Sequence, residues 1–318
     1  YISRKEKMKS SLTLADVTVI DHAYIDNTGM IVGGSFQPSF IIKGNVEEKE
    51  NVVVDFSTIK KDIKFLIDHK DNGYDHKLWV IAGYSKVTKY DVVGDVVSIE
   101  TPFVTLEVPL SAIKVIEDVP LFTPSYDNDF IATSISLFLQ HALNQVYPVG
   151  EIEVETVIRT NCHTFSPQLL QSTIPFMFRY SHGLKDSTSW GCQNIAHGHL
   201  SYIVGHHSMK DMSMEQTARQ SRVLNEMSKD LDNMVFINKA NIDLIDEEGN
   251  TYISYQTQRG HFGACYNKDV RQIHLETETT IEFIAEYVKS VYGEILKDVG
   301  IESLTVSEGL SKGAYVEL

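Results

Sequence analysis

His197-Gly198-His199 is the densest piece of chemistry in the chain. Alternate residues of a β-strand share a face, so both imidazoles can reach one ion. A catalytic zinc keeps three protein ligands and one open position, so a third donor is expected on a neighbouring strand. His182 closes the aromatic, strand-like run Phe178-Arg179-Tyr180-Ser181-His182 and suits that role. Between His182 and His197 stands Cys192, whose nearness strengthens the reading of a metal site. The remaining donors are less pointed. His206-His207 are adjacent, face opposite sides of a strand and are expected to be solvated. Cys162 and Cys265 have no partner at metal spacing and are expected to be structural.

The elements that must hold these residues recur along the chain. Asp129-Phe130-Ile131-Ala132 matches Glu282-Phe283-Ile284-Ala285, and each opens a stretch of helical period. A strand-like segment with a glutamate follows each one, Glu155 after the first and Glu308 after the second. Upstream, Asp75-His76-Lys77-Leu78-Trp79-Val80 lines up with Asp232-Asn233-Met234-Val235-Phe236-Ile237. Amphipathic patterns precede both, with Ile59, Ile63 and Leu66 on one face in the first and Val223, Met227 and Leu231 in the second. Pro38-Ser39-Phe40-Ile41-Ile42 matches Leu200-Ser201-Tyr202-Ile203-Val204. The order in each copy is strand, strand, helix, strands, helix, strand. The chain thus reads as two α+β units, residues 1–165 and 166–318, divided where Ser, Thr and Pro cluster near Asn161 to Pro175.

Composition narrows the function. The 318 residues carry 28 basic and 43 acidic side chains, a net charge of −15, so wrapping nucleic acid is not expected. No apolar run reaches the ~18–20 residues that span a bilayer, and no apolar stretch follows Tyr1-Ile2-Ser3-Arg4-Lys5 as in a secretory signal. The three cysteines do not make a disulfide scaffold, which fits a reducing, cytoplasmic setting.

With the aromatic strand ending in His182, then Cys192, then His197-Gly198-His199, the second unit resembles the 6-pyruvoyltetrahydropterin synthase / 6-carboxytetrahydropterin synthase family. Val54-Asp55-Phe56, the pair Asp75-His76 and the late Glu155 of the first unit resemble the same pattern. The resemblance implies two tandem tunnelling-fold units, each an antiparallel four-stranded sheet with two helices on one face. It implies Zn2+ on His182, His197 and His199, catalysis by Cys192, Asp75 and His76, and a carboxylate, Glu308 or Glu155, that anchors a pterin. The implied substrate is 7,8-dihydroneopterin triphosphate, converted with loss of triphosphate. The 6-carboxy product of a 7-deazaguanine (queuosine-type) route is preferred to the 6-pyruvoyl one.

The two copies depart from the pattern in complementary ways. The repeat alignment puts Met30, Ser35 and Gln37 at the cysteine and two histidine positions of the first unit, leaving only His22. It puts Asn233 where the second unit would need a counterpart of His76. One complete site shared between the halves is therefore expected. The family's ring assembly implies a homo-oligomer, a trimer of two-unit chains. The competing expectations are a fold kept for binding or structure without turnover, and another zinc enzyme of the same fold.

Overall fold

The computed structural model describes residues 9–46, 53–117, 119, 125–147, 152–162, 164, 167 and 170–318. The boundary between 165 and 166 lies outside them. The first half runs β1 (Lys9–Leu14), β2 (Ile20–Ile25), β3 (Ile31–Asn45), α1 (Phe56–Ile67), β4 (Lys77–Ile81), β5 (Lys89–Val93), β6 (Val96–Glu100), β7 (Val104–Pro109), β8 (Ile113–Ile116), α2 (Asn128–Val146) and β9 (Glu153–Arg159). The second runs β10 (Gln171–Ser172), β11 (Phe176–His182), β12 (His197–His207), α3 (Met214–Leu231), β13 (Met234–Asn238), β14 (Ile242–Ile245), β15 (Thr251–Thr257), β16 (Gly260–Tyr266), β17 (Gln272–Leu275), α4 (Ile281–Asp298), β18 (Ser303–Glu308) and β19 (Lys312–Glu317).

The helices begin where their caps dictate. Asp55 accepts from Thr58 N at the start of α1, Asp127 accepts from Phe130 N at the start of α2, and Ser213 and Gln216 form a capping box on α3. The apolar stripes then face the sheets. Ile59, Ile63 and Ile67 of α1 and Phe130, Ile131 and Ile135 of α2 pack with Phe36, Phe40 and Trp79 in one core. Leu224, Met227 and Leu231 of α3 and Ile284, Ala285 and Val288 of α4 build the matching core of the second half.

The architecture is α+β with two helices per half, but the sheets are not the plain antiparallel four-stranded ones expected. The first half's sheet has six strands, ordered β1-β3-β2-β4-β8 with β9 also on β3. The second half's has seven, ordered β17-β13-β11-β12-β18-β19 with β10 also on β12. Both contain parallel pairs, β2 with β4 and β8 beyond it, and β11 with β13 and β17 beyond it. Parallel neighbours need a crossover, and α1 and α3 lie in the connections that bring β4 and β13 to their partners.

A third, six-stranded sheet, β14-β15-β16-β7-β6-β5, belongs to neither half alone. Its central seam pairs β7 antiparallel with β16, Ala264 opposite Leu106. A core containing Ile25, Leu78, Val97 and Leu106 from one half and Ile195, Val235, Phe262 and Tyr266 from the other lies against it. The halves also cross at β3 and β12. A Cβ on Gly33 would stand 2.2 Å from the Tyr180 carbonyl oxygen, and one on Gly198 would stand 2.7 Å from the Gly33 Cα. Only glycine allows the two strands this close.

Hydrogen bonds fix how the copies correspond. His76 N donates to Asp21 O at 2.6 Å, and Asn233 N donates to Arg179 O at 2.8 Å. Asp21 N donates to Asp75 Oδ1 at 2.9 Å, and Arg179 N donates to Asp232 Oδ1 at 2.7 Å. His76 and Asn233 even share a left-handed backbone, with φ of 53° and 59°. So Asp75 matches Asp232, His76 matches Asn233, and Asp21 matches Arg179. Carried along the ladders, this frame corrects three of the sequence matches. His22 pairs with Gly34 as Tyr180 pairs with His199, which puts Tyr24, Val32 and Gly34 at the places of His182, His197 and His199. Ser35, Gln37 and His22 are not the counterparts of the metal trio. Pro38 pairs with Ile158 as Ile203 pairs with Val306, which sets Thr160, not Glu155, opposite Glu308. The expected solvated pair is also different: His206 and His207 are both buried, and the His206 ring bridges Ser172 and Thr305.

Candidate metal and thiol site between the two halves

The β11–β12 pair sets His182 directly opposite His197, with His199 two residues on, so the three rings share one face of the sheet. All three are buried. Two of their outer nitrogens are fixed: His182 Nδ1 donates to Thr279 O at 2.7 Å, and His197 Nδ1 to Asn194 O at 2.6 Å. Their Nε2 atoms are thereby left as inward lone pairs. His199 Nδ1 lies 3.3 Å from Asp21 Oδ1 of the other half, at ion-pair distance but without hydrogen-bond geometry. His182 Nε2 and His199 Nε2 stand 3.2 Å apart, and His197 Nε2 is buried with no hydrogen-bond partner. Two ligands about 2.0–2.1 Å from a tetrahedral ion stand about 3.3 Å apart. Three convergent imidazole nitrogens, one of them buried without a partner, fit a zinc ion. Burial holds His182 down at about 3 and drives His197 well below the ordinary histidine range, so both are neutral donors.

Cys192 reaches this trio from the β11–β12 loop, residues 183–196. Leu184 N donates to Cys192 O at 2.8 Å, and Asn194 Nδ2 donates to the carbonyls of His76 at 3.2 Å and Ala112 at 3.0 Å. The buried Arg259 guanidinium donates to Trp190 O, Gly191 O and Ser111 O at 3.0, 3.1 and 2.6 Å. A Cβ on Gly191 would lie 2.5 Å from His76 Cγ, so only glycine lets the loop pass the imidazole. The first half offers no such loop. Asp26 Oδ1 there accepts from Thr28 N, Gly29 N and Met30 N and closes the β2–β3 connection tightly.

His76 comes from the first half, at the entrance to β4. Its Nδ1 donates to Asp75 Oδ2 at 2.6 Å. The donor atoms of His76, Cys192 and His197 lie within 4.8 Å of one another, as do those of His182, His197 and His199. Burial disfavours the His76 charge, but Asp75 and the Cys192 thiol outweigh it and raise the imidazole well above its usual range. Burial likewise opposes the Cys192 thiolate, and His76 overcomes it and lowers the thiol. Both shifts favour the thiolate and the imidazolium, and the carboxylate orients the imidazole.

Glu308 ends β18 with its Oε1 4.0 Å from both His182 Nε2 and His199 Nε2. Burial raises its carboxyl, but His199, Lys312 and His182 bring it down to about 2, so it is an ionised acceptor. The hairpin to β19 folds Lys312 back to 2.8 Å from Glu308 Oε2. Glu155 is not brought to this cluster. It is exposed on β9, paired with Lys43 at 3.0 Å, because the strand's alternation turns it away from the face that Thr156 presents to α2. Sequence reasoning missed Asp21, Asn194, Arg259, Thr279 and Lys312. None of them carried a signal in the sequence; each reaches the site only through tertiary contact.

No family model matches the chain, and no curated protein matches it. Solved structures do. The 6-pyruvoyl tetrahydropterin synthase of Plasmodium falciparum is 14% identical, with 48% of this chain and 99% of that one covered and a TM-score of 0.33. That of Plasmodium vivax is 16% identical, with 47% and 98% covered and a TM-score of 0.33. An uncharacterized protein from Wolinella succinogenes is 14% identical, with 47% and 99% covered and a TM-score of 0.32. Each likeness sets about half of this chain against the whole of the other.

Proposed function

We propose that the chain is a pterin synthase, a zinc-dependent carbon–oxygen lyase that takes 7,8-dihydroneopterin triphosphate and releases triphosphate. Within that class we propose the 6-carboxytetrahydropterin synthase type, in a 7-deazaguanine route, in which water enters, triphosphate leaves and a further carbon–carbon cleavage releases the two outer side-chain carbons as acetaldehyde. One observation supports the reading above all: the thiol of one half sits against the Asp75–His76 pair of the other, beside three convergent imidazoles. A zinc ion on His182, His197 and His199 would supply Lewis acidity toward the substrate's side-chain oxygens. Cys192, as thiolate, takes a proton from a side-chain carbon, and His76 returns one. Asp75 keeps the His76 proton on Nδ1, which leaves Nε2, buried without a hydrogen-bond partner, to exchange a proton with the thiol or the substrate. Glu308, ionised and held by Lys312, accepts the paired N–H groups of the pterin edge. Three chains complete the particle.

The test is incubation of the full chain with the triphosphate substrate, following triphosphate release and identifying the product by mass spectrometry. Cys192→Ala and His76→Ala should each lower release by roughly 10²–10⁴-fold with zinc and fold retained. Full activity in His76→Ala would end the reading. Elemental analysis should give about one zinc per chain, since Tyr24, Val32 and Gly34 cannot form a tetrahedral site. That bare first-half face favours a second reading, a fold kept for binding without turnover; absence of triphosphate release from the zinc-loaded chain would select it.

A further inference from the structure

Asp21 is 3% exposed on β2, inside the first half's sheet, yet its side chain points at the other half. Its Oδ1 stands at ion-pair distance from His199 Nδ1, 3.3 Å, a nitrogen with no hydrogen-bond partner, and accepts from Ser35 Oγ at 2.5 Å. The outer nitrogens of His182 and His197 meet neutral carbonyls, from Thr279 and Asn194. Among these three partners, only Asp21 brings a negative charge.

The matching position in the other copy shows what the fold itself asks for. Arg179 accepts from Asn233 N and donates to Asp232 Oδ1 just as Asp21 does with His76 and Asp75. The backbone bonds are kept with arginine in place, so the scaffold does not require a carboxylate there. What differs is the face beyond the side chain: imidazoles beyond Asp21, and Tyr24, Val32 and Gly34 in the twin face that Arg179 borders. We propose that Asp21 is a positioning residue for the metal, a carboxylate from the first half that orients the His199 ligand of the second and sets a negative charge beside it. The proposal rests on reading the histidine trio as a zinc site. A carboxylate on the outer nitrogen fixes the tautomer, raises the basicity of the inner nitrogen and offsets part of the ion's charge, and losing such a partner costs 10–100-fold in metal affinity. Because Asp21 also holds His76 N and is held by Asp75, one residue ties metal ligand and acid–base pair together across the halves.

The experiment measures zinc dissociation constants of the full-length chain and of Asp21→Asn by competition with a chromophoric chelator. Asp21→Asn should bind zinc roughly 10–100-fold more weakly, while the metal-free proteins share circular dichroism spectra and thermal midpoints. Cobalt(II) in place of zinc should show altered visible bands in the variant. Equal affinities would overturn the proposal. No zinc binding by the unsubstituted chain would instead overturn the metal-site reading beneath it. Should Asp21→Asn not fold, Ser35→Ala decides: removing the bond that steadies the carboxylate should weaken zinc several-fold, and unchanged affinity sinks the idea.

Discussion

Cys192 and His76 are far apart in sequence, yet His76 pulls the thiol down, while Asp75 first and then the thiol push the imidazole up. This makes the pair testable without substrate. Iodoacetamide attacks the thiolate, so its rate tracks the ionised fraction of Cys192. His76 lowers the thiol, so ionisation persists below the ordinary cysteine range. In His76→Gln the cation is gone and burial alone acts, which raises the thiol. The pH midpoint of alkylation should therefore move upward, and the rate at pH 7 should fall roughly tenfold or more. Peptide mass spectrometry at Cys192 separates it from Cys162 and Cys265; an unmoved midpoint would refute the pairing. At this scale the sequence already displayed the trio and the thiol, because three histidines and a cysteine cluster on strand spacing; the Asp75–His76 pair stood out only through the repeat and the family resemblance. Asp21, Arg259 and Lys312 were not legible, since an isolated acid or base acquires a role only from what tertiary structure sets beside it. Glu155 misled because equal spacing from a helix was taken as equal position, whereas strand parity decides which face a side chain takes.

At the scale of elements, the two copies differ most in one loop. Residues 26–30 turn sharply under Asp26, whereas residues 183–196 reach out, carry Cys192 and need anchors. Arg259 is the strongest of them, a buried fork spread over three carbonyls from both halves. Arg259→Met should cost about 2–4 kcal/mol in urea unfolding, because the carbonyls lose charge-assisted bonds in a buried setting. Arg259→Lys should recover only part, since a point ammonium cannot reach all three. A loss under about 0.5 kcal/mol for Arg259→Met would show the anchor to be dispensable. All four helices, α1 to α4, and the copy order were legible from periodicity. The strand register was not: loops of unequal length shifted the apparent matches in β3 by three residues, a slip that similar β-branched runs cannot reveal.

At the scale of the whole molecule, the repeat was visible but the seam was not, because neither copy contains both of its edges. That seam bears on how the chain unfolds. Two units joined by a linker would melt separately, whereas these share a core and the β7–β16 ladder, and the site takes groups from each. Opening one half exposes Ile195, Phe262 and Tyr266 or their partners Ile25, Leu78 and Leu106, and strips Asp21 from His199. The expectation is one cooperative transition. The chain's two tryptophans report on it, Trp79 from the first half's core and Trp190 from the loop beside Cys192. In Trp79→Phe the fluorescence of Trp190 should follow the far-ultraviolet circular dichroism at every urea concentration, and in Trp190→Phe that of Trp79 should do the same. A fluorescence midpoint separated from the dichroism midpoint in either variant would mean that the halves unfold independently. The site would then be an encounter between two folded domains instead of a part of one core.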